Sequence, residues 1–304
     1  MSDQTGVPQT KEWLKRASLG EVPALAKLLT ALEREGPVAL SRYPELVKPP
    51  GAAFRIGITG PPGAGKSTLI GAFIAKLRAL GLKVGVIAVD PSSPFSKGAV
   101  LGDRIRYSQH FGDKGVFIRS LGSRGSLGGL SSAAWLMVRA FDVAGFDIVL
   151  IETVGVGQTE LEIMNVADWV SVVLVPESGD SIQGMKAGLL EIASAFIVNK
   201  SDRPGADAFA HELEAALALG AAFHGAKEIP KILRTTATTG EGLDQLLQIV
   251  TSLKQSSDWR TKRQEPARLR AEAQALLRAE AERAIEAKSR TVNSPDDFIA
   301  LFKN

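Results

Sequence analysis

The chain has 304 residues, 45% of them hydrophobic, and a formal net charge of only +3. That size and apolar content suit one large domain with appendages, and without a long lysine or arginine run the chain carries no nucleic-acid stripe. With no cysteine, disulfides and thiolate metal sites are excluded and a reducing compartment is favoured, while nothing approaches the ~20 continuous apolar residues of a membrane span.

Taken in order, residues 1–10 read as disordered, and the first twenty residues lack the apolar core of a signal peptide, so a cytoplasmic location is expected. From Trp13 to Leu32 the apolar positions Val22, Leu25, Leu28, Leu29 and Leu32 recur at helical spacing and predict one or two short helices. The segment from Arg42-Tyr-Pro to Pro49-Pro-Gly51 breaks helix and serves as a connector.

Phe54 to Thr59 then reads as a buried strand, and it runs into Gly60-Pro61-Pro62-Gly63-Ala64-Gly65-Lys66-Ser67, the G-x-x-x-x-G-K-S phosphate-binding loop. The glycines let several backbone N–H groups converge on one oxyanion, and the helix predicted from Thr68 to Leu80 adds the positive end of its dipole. Lys66 is placed to reach the β- and γ-phosphates, and the Ser67 hydroxyl to take one Mg²⁺ position.

Beyond it, apolar runs at 83–89, 116–119, 146–151, 169–175, 194–198 and 230–235 alternate with helix-length pieces such as 130–145, 182–192 and 205–219. Such alternation predicts an α/β fold, a P-loop NTPase with a mainly parallel central sheet flanked by helices, plus helical N- and C-terminal extensions. Strands that read as continuous apolar runs agree, because both faces of the sheet are covered. Ligands bind at the carboxyl ends of such strands, and the polar motifs fall there.

Asp90 ends 83–89 and is a candidate for the metal shell, or a turn cap before Pro91. Glu152 ends 146–151 and can order Mg²⁺ and its waters, with the Gly155 N–H available to a γ-phosphate. Asn199-Lys200-Ser-Asp202 follows 194–198; in N-K-x-D the carboxylate accepts the guanine N1–H and exocyclic amine, a pair adenine cannot supply. Thr235-Thr236-Ala237 is expected to add a backbone N–H, near Ala237, to guanine O6, so the nucleotide is GTP rather than ATP.

Two glycine-rich stretches, 96–106 and 122–129, read as loops in which Asp103 can position water or hold a metal-bound water. Arg104, Arg106 and Arg124 can neutralise phosphate charge, meet a partner, or simply face solvent. A third such loop is 177–186. Residues 264–288 form an amphipathic helix outside the sheet, either folded back on its own domain or serving as a dimerisation arm. The expected organisation is a helical extension over 1–50, a GTPase domain over 51–257 and a helical dimerisation arm over 258–304.

These motifs resemble the MeaB/ArgK GTPases, relatives of the methylmalonic aciduria type A protein. The marks are Asp90-Pro-Ser-Ser93, Leu101-Gly-Asp-Arg104, Arg124-Gly with Leu127-Gly-Gly129, Glu152 to Glu160, Gly179-Asp180 to Gln183, Lys186-Ala-Gly188 and Asn199-Lys200, within a resemblance over roughly 20–255. It implies a homodimeric GTPase that gates cofactor delivery to an adenosylcobalamin-dependent acyl-CoA mutase and protects or reactivates that mutase. It also implies Glu152 as the metal-site carboxylate and switch segments at 96–106, 152–160 and 177–188, the last facing the mutase through Asp180, Gln183 and Lys186. Lys97 and Ser201 depart from the family's usual residues.

No side chain stands out as a strong base for water. Asp103 and Gln158 are the candidates, and slow intrinsic hydrolysis of GTP to GDP is expected. A nickel metallochaperone GTPase is the rival reading, but such proteins collect metal through cysteine and histidine, and His110, His211 and His224 lie far apart. A kinase would require a phosphate-acceptor site, for which no motif is present.

Overall fold

The computed structural model describes residues 7–47, 53–90, 106–122, 132–153, 159–178, 192–224, 229–256, 258–294 and 297. Seven parallel strands form one sheet in the order β3-β2-β4-β1-β5-β6-β7. They are β1 (Phe54–Thr59), β2 (Val84–Asp90), β3 (Val116–Gly122), β4 (Ile148–Glu152), β5 (Trp169–Leu174), β6 (Ala195–Asn199) and β7 (Lys231–Thr235). The central β1 pairs with β4 on one side and β5 on the other, with Ile58 opposite Glu152. All six residues of β1 are buried, as a central strand covered on both faces requires.

Among the described residues the α-helices are α1 (Val7–Ser18), α2 (Val22–Glu35), α3 (Ala39–Arg42), α4 (Lys66–Ala79), α5 (Ser132–Val143), α6 (Thr159–Val166), α7 (Ala206–His224), α8 (Leu243–Ser256), α9 (Asp258–Arg263) and α10 (Pro266–Ser289). Period-two alternation sends Ile148 and Leu150 of β4 to the face covered by α4 and α8, and Val149 and Ile151 to the face covered by α2 and α5. A third apolar cluster packs Phe209 and Leu213 of α7 on Val172, Phe196 and Val198.

Several boundaries differ from the sequence expectation. α1 begins at Val7, inside the stretch expected to be disordered, because Leu14 and Ala17 bury a face against the domain. β4 begins at Ile148 rather than 146, since Asp147 closes a turn: its carboxylate accepts the Lys83 N–H at 2.9 Å and its own N–H donates to Lys83 O at 2.9 Å. β3 runs three residues further than expected, to Gly122, and β2 takes in Asp90. The helix expected over 182–192 lies, apart from Ile192, outside the described residues.

α10 folds back on its own chain. Leu276 is buried, Glu272 accepts from Arg139 at 2.7 Å, and Arg283 donates to the Arg34 carbonyl at the end of α2. Leu269, Leu277 and Ile285 remain exposed.

The amino-terminal end of the sheet is closed by a charged cluster. The Asp168 side chain, with no exposed surface, accepts the Arg55 N–H at 2.8 Å and the Arg263 Nε at 2.7 Å, and lies 3.3 Å from Arg268. Arg263 Nη2 also donates to Ala53 O at 2.7 Å. Burial and the neighbouring Arg55 charge hold the Arg263 guanidinium below its ordinary value, against the opposing pull of Asp168 and Asp142. Removing one member of a buried pair strands the other charge. Asp168→Ala is therefore expected to lower the unfolding free energy by about 3–5 kcal/mol, measured as a fall in the urea midpoint; an unchanged midpoint would show that the cluster does not hold α9 and α10 to the sheet.

Candidate nucleotide site

At the other end of the sheet β1 delivers the chain into the phosphate loop. Gly60 and Gly65 have φ of 137° and 85°, a region that disfavours side chains. A Cβ at Gly60 would stand 2.1 Å from the Val173 carbonyl, and one at Gly65 would stand 2.5 Å from Asn199 Nδ2. Lys66, first residue of α4 and 7% exposed, donates to Gly60 O at 2.7 Å and Pro61 O at 3.0 Å. The loop thus holds the ammonium across its own mouth.

Glu152 ends β4 in the next strand and is 6% exposed. The Ser67 hydroxyl donates to its Oε1 at 2.6 Å, and the Tyr107 hydroxyl donates to its Oε2. Arg106 Nη1 donates to Ser67 Oγ at 3.3 Å. Ser67 and Glu152 therefore form an oxygen pair that can hold a divalent cation. A cavity of about 560 Å³ opens here, lined by Gly63, Lys66, Ser67, Thr68, Arg106 and Glu152. A larger one, about 1020 Å³, lies at the opposite end of the sheet beside Arg55 and Arg139 and contains none of the phosphate-loop residues. Volume alone would mislead; the chemistry sits in the smaller cavity.

The third part is the bracket at the ends of β6 and β7. Asn199, 2% exposed, donates from Nδ2 to the Ala64 carbonyl at 2.9 Å and accepts on Oδ1 from Thr235 Oγ1 and Ala237 N–H, both at 3.1 Å. Lys200 adopts φ 57° and donates to Gly63 O at 2.9 Å. Asp202 is exposed beside them. The Ala237 N–H thus satisfies the buried Asn199 side-chain carbonyl, which needs donors. Arg203 pairs with Glu177 and holds its carboxyl below the ordinary value, tying the loop after β6 to the loop after β5.

The structure brings Gly60 through Thr68, Glu152, Asn199, Lys200 and Thr235 through Ala237 to one end of the sheet. The Asp90 backbone ends β2, two residues beyond Ala88, which is opposite Glu152. Asp103, Arg104, Arg124, Gly155, Gln158, Asp180, Gln183 and Lys186 lie outside the described residues, as does the Asp90 side chain. Tyr107 is the functional neighbour that sequence reasoning missed; no motif marks it, and its hydrogen bond spans 45 positions. Among the described residues no three His, Asp or Glu side chains form a metal cluster, and His110 is committed to Gly71 O at 2.8 Å.

A glycine phosphate loop, a serine–carboxylate pair at its lip and an N-K-x-D bracket at the carboxyl edge of a parallel sheet define a P-loop GTPase. Over residues 25–293 the chain matches the family of Methylmalonyl Co-A mutase-associated GTPase MeaB, and it belongs to that family. It is 46% identical over 262 residues to a putative GTPase of Pyrococcus horikoshii, covering 86% of this chain and 83% of the relative. It is 37% identical over 250 residues to GTPase ArgK of Escherichia coli, covering 80% and 75%. The crystal structure of LAO/AO transport system kinase aligns with a TM-score of 0.64 at 26% identity, covering 99% of this chain and 90% of that one.

Gly65→Ala combines an unfavourable φ with a collision at Asn199. A strained backbone residue costs about 1–3 kcal/mol, so GDP binding is expected to weaken by roughly 10-fold or more. Calorimetry returning the wild-type affinity would mean the loop does not use this geometry to bind phosphate.

Proposed function

We propose that this GTPase is a G-protein chaperone of an adenosylcobalamin-dependent acyl-CoA mutase, gating cofactor loading and protecting or reactivating the mutase. The observation that carries this reading is the reach of the family match. Residues 25–293 take in the N-terminal helix α2 and the arm α10 as well as the nucleotide sheet. The reading places the protein in the cytoplasm as a homodimer, with the exposed Leu277 and Ile285 of the 258–304 arm available for pairing.

In the site, Lys66 exchanges its two loop carbonyls for β- and γ-phosphate oxygens. The hydroxyl of Ser67 and the carboxylate of Glu152 are hard oxygen donors at the lip of the phosphate loop, which fits Mg²⁺. When bound, Mg²⁺ neutralises charge on the phosphates. Asp90 belongs to the same shell. Asp202 reads guanine, and Asn199 holds the phosphate loop and the 235–237 turn at a fixed distance from it. Gly155 contacts the γ-phosphate, and Asp103 and Gln158 orient water. The segments 96–106, 152–160 and 177–188 respond to the γ-phosphate, with Arg104 and Arg124 serving phosphate or partner and Asp180, Gln183 and Lys186 facing the mutase.

The test is GTP hydrolysis with and without a purified adenosylcobalamin-dependent acyl-CoA mutase from the same organism. Acceleration that depends on the mutase is expected. Unchanged turnover, with GTP binding intact and the two proteins mixed at saturating concentration, would overturn the chaperone reading.

Asp202→Asn tests the base contact separately. Losing hydrogen bonds to a charged acceptor, at about 1.5–3 kcal/mol each, is expected to reduce the preference for GTP over ATP by roughly 10–100-fold. Competition binding that leaves the preference intact would remove Asp202 from the base site.

A further inference from the structure

A carboxylate as deeply buried as Glu152 is stable only when its oxygens find donors. Both do, and the donors Ser67 and Tyr107 differ in kind. Ser67 is in the phosphate loop's first helical turn, and its hydroxyl can rotate toward another oxygen or a cation. Tyr107 has no exposed surface and belongs to the same apolar cluster as Leu69, Phe73 and Ala88. Its carbonyl accepts the His110 N–H at 3.0 Å, in the 3₁₀ turn Ser108–His110, and the His110 ring reaches Gly71 O of α4 at 2.8 Å. The Tyr107 backbone is thus fastened, through His110, to the helix that carries Ser67.

We propose that Tyr107 is a positioning residue for the cation site: it holds Oε2 of Glu152 so that Oε1 stays turned toward Ser67. The proposal rests on the reading of Ser67 and Glu152 as the Mg²⁺ donors. One oxygen of the carboxylate is the anchor and the other is the working ligand, the division of labour by which partners of ligands tune metal sites. Through its bond to Glu152 the phenol bears on the cation, whereas the Lys66 ammonium is held by the carbonyls of Gly60 and Pro61. It also stands immediately after the 96–106 segment, which places the downstream end of that segment one hydrogen bond from the metal carboxylate.

The experiment measures binding of N-methylanthraniloyl-GDP to the full chain, first in EDTA and then across a Mg²⁺ titration, for wild type, Tyr107→Phe and Glu152→Gln. Tyr107→Phe keeps the ring in the core, and Tyr107→Leu gives the same readout should the phenylalanine variant not fold. The expected result is EDTA affinity within about twofold of wild type and a Mg²⁺ half-saturation raised roughly 10–100-fold, with Glu152→Gln raised at least as far. If Glu152→Gln shifts the Mg²⁺ dependence and the Tyr107 variants do not, positioning by Tyr107 is overturned while the cation site stands. If neither shifts it, both fall. Equal weakening with and without Mg²⁺ makes Tyr107 a packing residue only and also overturns the proposal.

Discussion

The structure depends on keeping two opposite charges buried at the carboxyl end of the sheet. β1 leads into the phosphate loop that ends at Lys66, β4 ends in Glu152, and the pairing of Ile58 with Glu152 sets the two strands in register. Neither charge is tolerable there alone. The ammonium is held by the carbonyls of Gly60 and Pro61 and the carboxylate by the hydroxyls of Ser67 and Tyr107. These bonds keep the site preorganised, so that phosphate oxygens and a cation replace partners already in place rather than ordering a loose loop.

The bracket of β6 and β7 extends this logic. Asn199 and Lys200 bond to the carbonyls of Ala64 and Gly63, so the N-K-x-D loop and the phosphate loop are one body. The loops that respond to the γ-phosphate in the proposed cycle leave from the ends of β2, β4 and β5. β5 neighbours β6, and the Arg203–Glu177 pair joins the loops that follow them, so the bracket and the proposed switch loop after β5 are tied across one seam of the sheet.

The phosphate loop and N-K-x-D were legible in the sequence because each is a contiguous motif whose geometry is local. The parallel sheet was legible because β1, β4 and β5 are buried on both faces and read as apolar runs. What escaped was non-local. Tyr107 gained its role from a carboxylate 45 positions away. The Ala237 amide joins Asn199 across 38 positions, a bond that no three-residue stretch announces. Along α10 the apolar positions looked equivalent, yet Leu276 is buried while Leu269, Leu277 and Ile285 are not, since the helix touches its domain along a narrow line rather than a broad face.

The charged cluster at the base of the sheet also sets an order of assembly. Arg55, Asp142 and Asp168 emerge from the ribosome well before Arg263 and Arg268, and chains are made at about 5–20 residues per second. Until the last segment arrives, a completed nucleotide sheet stands with Asp168 lacking its guanidinium partners and the carboxyl end of α2 lacking Arg283. The nascent protein can acquire its nucleotide loops before it can close its floor. A chain that stops ahead of Arg263 leaves the buried Asp168 carboxylate without the guanidinium groups that neutralise it.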